Sequence, residues 1–439
     1  STLYFGSQFV HKSTDKGETW NIISPDLTTN DPEKLKQHES GGLTMDATGA
    51  ENHCTILVIE PSEAEPNMLW AGTDDGRVHY TNDGGSKWVE VTKNIKGLPK
   101  GSWITQIKAS KSHKGEALLV ANDYRRYNYT PYAYRTTNYG KTWNRIVDEH
   151  DVESYALCIV EDAKEPNLMF LGTDDGLYIS LDAGNQWTKW NNGFPTVSVK
   201  DLVIQSREDD LVIGTFGRAA WILDDIKPLR AIAKDRKTLG ENLHLFESPT
   251  AYKAAYQQPT GSRFGGDAMY HAINRKYGAK LSYYFKSIPE NERDTISNWD
   301  TLKLQIFNGD RLIRTLKQKV PKENGVHHWR WYMTEKGVQY PSKKINESTE
   351  EPSGVSVLPG RYRTVLNYGD LSSEQSINIE NDPRINFDLT KEKEIYNASK
   401  ILESYLETAA KATKQLAQSK QIANEFLESL KDKDEKGLK

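Results

Sequence analysis

Four copies of one short turn constrain this chain more than any other feature. Each reads Ser/Thr-x-Asp-x-Gly-x-x-Trp: Ser13, Asp15, Gly17 and Trp20; Thr81, Asp83, Gly85 and Trp88; Thr136, Asn138, Gly140 and Trp143; Ser180, Asp182, Gly184 and Trp187. One copy would mean little, but four at variable separation mark an internal repeat. Two repeats align along their length, as EPNMLWAGTDDGRVHYTNDGGSKW (65–88) and EPNLMFLGTDDGLYISLDAGNQW (165–187). In each, a short apolar strand runs into an Asp-Gly hairpin turn, then an alternating strand, the repeated turn and a last short strand. Units of about four strands recurring every few tens of residues imply small antiparallel sheets set side by side, the pattern of propeller blades.

The repeated turn mixes hydroxyl, carboxylate and glycine as a catalytic site would, yet its chemistry is that of a turn. The hydroxyl and carboxylate can accept bonds from the turn's own amides, glycine supplies a positive φ, and tryptophan is expected to fold over the hairpin into its own blade. Asn138 replaces the acid in one copy, which a turn tolerates and a catalytic acid does not. The same logic covers Asp74-Asp75 and Asp174-Asp175: they look like acid–base pairs, but they hold the same place in two repeats and read as turn formers.

These turns resemble the Asp boxes (BNR repeats) of sialidases, sortilin-type VPS10 domains and two-propeller endoglucanases. The closer resemblance is to bacterial VPS10/sortilin-like BNR-repeat proteins, often labelled glycosyl hydrolases. It is carried by ETWNIISPDLT (18–28), ESGGLTMDATGAENHCTI (39–56), WAGTDDGRVHYTNDGGSKW (70–88), TPYAYRTTNYGKTW (130–143) and GTFGRAAWILDDIKPLR (214–230). The resemblance implies that residues 1–235 are β-propeller blades of a larger ring, with further blades expected upstream because the chain opens in mid-pattern. It also implies a secreted, periplasmic or surface location.

After DDIKPLRAI the boxes stop. Residues 236–385 show spaced alternating strands, with Asn308-Gly309 as a hairpin turn, and resemble an immunoglobulin/fibronectin-III-like sandwich. Residues 386–439 read as one long helix, because Ile395, Ala398, Leu402, Tyr405, Ala409, Ala412, Leu416, Ser419, Ala423, Phe426 and Leu430 alternate three- and four-residue steps. Such a seam calls for a cover: its own domain, a further segment or a partner chain. The expected class is therefore mainly β, with propeller blades, a sandwich and a C-terminal helix.

Composition narrows function without naming it. A net charge of −4 from 57 basic and 61 acidic residues argues against a general nucleic-acid binder, and no apolar run is long enough to span a bilayer. Cys54 and Cys158 sit in apolar contexts and read as buried thiols, with a bridge between them left open. No Ser-His-Asp set, zinc-ligand spacing or phosphate loop stands out, so neither cofactor nor metal is expected. His53, His79 and His271 read as structural. Functional residues in a repeat protein should break its symmetry, and NDYRRYNYTPYAYRTT (122–137) does so most. It offers Tyr124, Arg125, Arg126, Tyr127, Tyr129, Tyr132 and Tyr134, and arginines among aromatics suit carboxylate, sugar or peptide recognition. Arg218 joins these candidates, and the polar loop 38–53 is a second asymmetric segment. The expectation is an extracytoplasmic binding or scaffold protein for a peptide, protein or glycan. Two alternatives are a glycoside hydrolase of the sialidase or endoglucanase kind and a subunit of a cell-surface or secretion assembly.

Overall fold

The structure, a computed structural model, describes residues 2–36, 53–254, 275–343 and 350–431. His271 and the loop 38–53 except for its final His53 lie outside them. The chain is mainly β, with many antiparallel sheets and a long C-terminal helix, and divides into two compact units, Ser1–Arg236 and Lys237–Lys439.

Among the described residues the first unit is a series of five antiparallel meanders, each built from strands consecutive in sequence. The first holds Leu3–Gly6, Val10–Ser13 and Asn21–Ile22. The second holds Ile56–Pro61, Leu69–Thr73, Val78–Thr81 and Val89–Glu90, and the third Trp103–Ala109, Ala117–Asp123, Asn128–Thr136 and Asn144–Arg145. Ala156–Glu161, Met169–Thr173, Gly176–Ser180 and Thr188–Lys189 form the fourth; Val199–Gln205, Asp210–Thr215 and Ala220–Leu223 form the fifth. Helix α1 (Lys227–Lys234) follows, tied back by Arg230 to Asp162 (2.6 Å) and Asp209 (3.1 Å).

Why the second strands of the second and fourth meanders, Leu69–Thr73 and Met169–Thr173, are buried throughout follows from what covers them. Successive side chains of a strand point to opposite faces, and here both faces are covered. Trp70 and Met68 pack with Ile104, Leu119 and Trp143 of the third meander, whereas Ala71 packs with Val10 and Leu27 of the first. Met169 and Leu171 face Val120 and Val147 behind, and Phe170 faces Leu202 and Ile213 ahead. Two glycines set the spacing. A Cβ on Gly72 would lie 2.5 Å from Ile104 Cγ2, and one on Gly172 would lie 2.5 Å from Cys158 Sγ and 2.6 Å from Val199 Cγ1. Cys54 and Cys158 are both buried free thiols.

In the second unit one apolar core lies between two sheets. One carries Leu243–Leu245, Ala279–Phe285 and Gly325–Trp331. The other runs in the order Ala251–Lys253, Leu371–Asn381, Gly360–Tyr368, Thr301–Asn308 and Arg311–Lys319, and its first pair is parallel. Gly309, at φ 58°, closes the Thr301–Asn308/Arg311–Lys319 hairpin. A small pair, Thr334–Lys336 with Ser353–Ser356, carries Glu335. Helix α2 (Leu389–Lys431) docks through this acid: Glu335, 4% exposed, accepts from Arg311 (2.7 Å) and the Tyr396 hydroxyl (2.6 Å) and pairs with Lys400 at 3.3 Å. Lys253 pairs with Glu392 beside it.

Candidate functional site

The four repeated turns share one hydrogen-bond pattern. The Ser or Thr hydroxyl donates to the side-chain oxygen two residues on: Ser13 to Asp15 (2.7 Å), Thr81 to Asp83 (2.8 Å), Thr136 to Asn138 (3.2 Å) and Ser180 to Asp182 (2.8 Å). The same hydroxyl accepts the glycine amide, at 2.8 Å for Gly17, 3.0 Å for Gly85 and Gly140, and 2.9 Å for Gly184. The acid or amide oxygen then accepts the amide four residues on, from Thr19, Lys87, Thr142 and Gln186. Bonds from the side chain and amide of Thr19 hold Asp15 well below the usual carboxylate range, and the Lys87 amide does the same for Asp83. An acid held ionised in this way accepts bonds and has no proton to give.

The tryptophans do something their spacing does not reveal. Trp88 donates its Nε1–H to the carbonyl of Ile23 (2.8 Å), and Trp187 to that of Ile146 (2.8 Å). Each carbonyl belongs to the preceding meander, so these rings stitch neighbours together. Trp88 and Trp187 thus reach beyond the hairpin that each is expected to fold over. Trp143 is buried in the same way, but its Nε1 has no acceptor among the described residues. Trp20 donates to Gly17 of its own turn and remains 42% exposed.

In the four-stranded meanders the repeated turn joins the third and fourth strands, at one end. The connection between their second and third strands lies at the opposite end, beside the start of the first strand, here called the inner strand. In the second meander this connection holds Asp74 and Asp75, and both are engaged. Asp74 accepts from the Thr55 amide (2.9 Å) and hydroxyl (3.0 Å) and lies 3.3 Å from His53 Nδ1. Asp75 accepts from the Thr73 hydroxyl (2.5 Å) and, across meanders, the Thr29 amide (2.6 Å); despite burial these bonds leave its pKa lowered. In the fourth, Asp175 accepts from Thr173 (2.6 Å) and Lys189 (2.5 Å).

The third meander fills this connection with the Tyr124–Arg126 turn, followed by a bulge between Asn128 and Tyr132, and here the repeat breaks. Arg125 lies flat over Trp103, its guanidinium carbon 3.3 Å from the ring centroid, with Tyr124 on its other contact at 4.5 Å. Tyr124 stacks on Tyr155 at 4.6 Å and 18°, and Tyr129 follows at 6.1 Å. The result is a ladder of Trp103, Arg125, Tyr124, Tyr155 and Tyr129. Burial draws the Arg125 pKa below the ordinary arginine value and pushes the Tyr155 hydroxyl up, aided by its bond to Asp174. Among the described residues the half-buried Arg125 guanidinium makes neither a hydrogen bond nor a close ion pair, although the Asp74 carboxylate is near enough to act on it electrostatically. Asn122, paired across the strands with Trp103 and 1% exposed, leaves both its amide oxygen and nitrogen without partners among the described residues.

The other candidates divide. Arg126 is paired with Asp123 (2.5 Å) at the edge of the ladder, and Tyr127, at φ 61°, is 86% exposed at the loop tip. Tyr132 is 5% exposed within the core between the second and third meanders, and Tyr134 is buried beside it. Arg218 is exposed in the corresponding connection of the fifth meander, its carbonyl accepting from Trp221 (3.0 Å). Sequence reasoning missed Trp103, Tyr155 and Asn122. A usable signal was present: Thr55, Trp103 and Tyr155 each immediately precede or open an inner strand, and only two of the three are aromatic.

Among the described residues no group of three or more His, Cys, Asp or Glu is placed to hold a metal ion, and no helix there is long and apolar enough to cross a membrane. No protein-family model matches the chain, and no curated protein matches it. Solved structures with some likeness include YCF48 bound to D1 peptide (10% identity, TM-score 0.32). That match covers 49% of this chain and 58% of the other. The GH74 enzyme of Niastella koreensis is 12% identical with a TM-score of 0.33, over 47% of this chain and 30% of that one. An ancestral GH74 enzyme is 14% identical with a TM-score of 0.36, over 86% and 44%. The chain thus spans less than two thirds of each, and likenesses this slight carry no argument.

Proposed function

We propose that the first unit is an arc of Asp-box propeller blades, and that the end bearing the Arg125 ladder binds a ligand rather than transforming one. The observation that carries this reading is Arg125 itself, a guanidinium clamped against Trp103 and Tyr124 with its hydrogen-bonding edge unspent among the described residues. A planar cation held in this way meets a carboxylate with two parallel bonds. The exposed Tyr127 and Tyr129 add faces on which a peptide or sugar ring can lie. Asn122 supplies a further donor and acceptor from a buried position, where an unmade hydrogen bond is costly. The ligand class this favours is a peptide or protein segment, or a glycan, that carries a carboxylate; the setting we propose is extracytoplasmic.

Hydrolysis of a glycoside would need two carboxylates free to act as acid and as base or nucleophile. At this end Asp74, Asp75, Asp123 and Asp175 are each bound to hydroxyls, amides or cations of their own or a neighbouring meander, which supports binding. The test is a panel of immobilised acidic peptides, peptides with free C-terminal carboxylates, and sialylated or uronate glycans, probed with the wild type and Arg125→Ala. Binding to carboxylate-bearing members that falls at least about tenfold in the variant supports the reading. Turnover of a glycan, or binding indifferent to Arg125, overturns it.

A further inference from the structure

Helix α2 is held to its sheet unit by the wrong face for an ordinary amphipathic helix. Its half-buried stripe runs from Glu392, Tyr396, Ser399, Lys400 and Glu403 through Leu406 to Ala410, Thr413 and Ala417; its first half is mostly polar and is bound through Glu335 and Lys253. The apolar seam points away: Tyr405 is 67% exposed, Leu416 73% and Phe426 63%. A helix normally buries its apolar stripe and leaves its polar face in water, so this inversion leaves a long surface needing a cover.

We propose that the cover is a second copy of the same helix, packed antiparallel. Three features select that occupant. First, the size is sufficient: in the register given below, residues 397–431 of the two helices overlap, and at about 1.5 Å rise each they give a seam of roughly 52 Å whose contact strip of about 10 Å buries roughly 1,000 Å² in total, the least that a specific interface needs. Second, the seam is self-complementary in one direction. The antiparallel register that sets Leu402 against Phe426 also sets Tyr405 against Ala423, Ala412 against Leu416 and Ala409 against Ser419. Tyr405 and Leu416 then each meet an alanine, as interdigitating layers require, while Leu402 and Phe426 meet each other toward the ends of the seam. A parallel, in-register pair would instead stack Ala409, Ala412, Ser419 and Ala423 each on itself, leaving four hollow layers. Third, the flanking positions Ile401, Leu406, Thr408, Thr413, Gln415, Ile422 and Leu427 are uncharged, with Lys420 the exception, so like charges do not oppose self-pairing.

The pairing is tested on the full chain by light scattering during size exclusion, over a range of protein concentrations. The wild type should give about twice the 49.9 kDa chain mass. Leu416→Lys, at an exposed position, should return it to the monomer and raise the dissociation constant at least about a hundredfold, with an unchanged circular dichroism spectrum showing that the units remain folded. Direction is read by disulfide trapping. Ala409→Cys and Ser419→Cys chains should cross-link when mixed and not alone, while the wild type, whose Cys54 and Cys158 are buried, should not cross-link. A wild-type chain monomeric at every concentration overturns the proposal, and so does Ala409→Cys cross-linking to itself, which marks a parallel pair.

Discussion

Replacing Trp187 by Phe asks whether the repeated turn fastens its own hairpin or its neighbour. The ring is 6% exposed and its Nε1–H donates to Ile146 of the preceding meander at 2.8 Å. Phenylalanine keeps most of the apolar bulk, removes the donor and strands a carbonyl. Trp143, 7% exposed at the equivalent place, provides the internal control because its Nε1 has no acceptor among the described residues. Both substitutions lose similar ring area, so their difference isolates the bond. A net hydrogen bond contributes about 1 kcal/mol, and a stranded buried polar group costs about 1–3 kcal/mol. Trp143→Phe relieves such a group whereas Trp187→Phe creates one, so Trp187→Phe should be the more destabilising by about 1–3 kcal/mol. Urea unfolding followed by far-ultraviolet circular dichroism, compared at equal slope, reads this difference. Equal losses in the two variants, or a larger loss from Trp143→Phe, would refute the inter-meander role.

Further outcomes follow from the same structure. Gly172→Ala should cost about 1–3 kcal/mol in the same unfolding assay, because a Cβ there would lie 2.5 Å from Cys158 Sγ and 2.6 Å from Val199. Burial alone would raise the Glu335 pKa, but Arg311, Tyr396 and Lys400 outweigh it and bring the pKa down from 4.5 to about 2. Its contribution to α2 docking is therefore complete above about pH 4.5 and is lost as pH falls toward 2. Hydrogen exchange in the Tyr396 to Glu403 segment should accelerate across that window, and Glu335→Gln should flatten the response. Asn122→Leu should leave stability unchanged or raise it by about 1 kcal/mol, since it removes an unpartnered buried amide. The same variant should weaken binding to carboxylate-bearing probes at least about tenfold, and a loss of stability without a loss of binding would count against the site.

The turns were legible because their chemistry is local. Hydroxyl, acid and glycine bond within seven residues, so Ser13 to Gly17 reveals its own geometry. The stitching by Trp88 and Trp187 was not legible, because the acceptors Ile23 and Ile146 lie 65 and 41 positions away in sequence. Aromatic interleaving in 122–137 pointed to the right loop yet could not separate Arg125, clamped over Trp103, from Tyr132, which strand pairing turns into the core. Trp103 and Tyr155 come from two different inner strands, and only the packing of neighbouring meanders brings them to the same loop. The long helix was legible from its period, but the period shows which face is apolar and not which face docks. That was decided by Glu335, a buried acid on a two-strand arm that demanded cations and a hydroxyl from α2.

The central claim is that ligand binds at the Arg125 ladder. Hydrogen–deuterium exchange of the full chain, with and without an acidic peptide or uronate glycan retained from the binding panel, locates the contact without assuming it. The account predicts protection concentrated at residues 101–104, 122–129 and 153–156, abolished in Arg125→Ala. Protection confined to the repeated turns at the opposite end, or to the second unit, would contradict it.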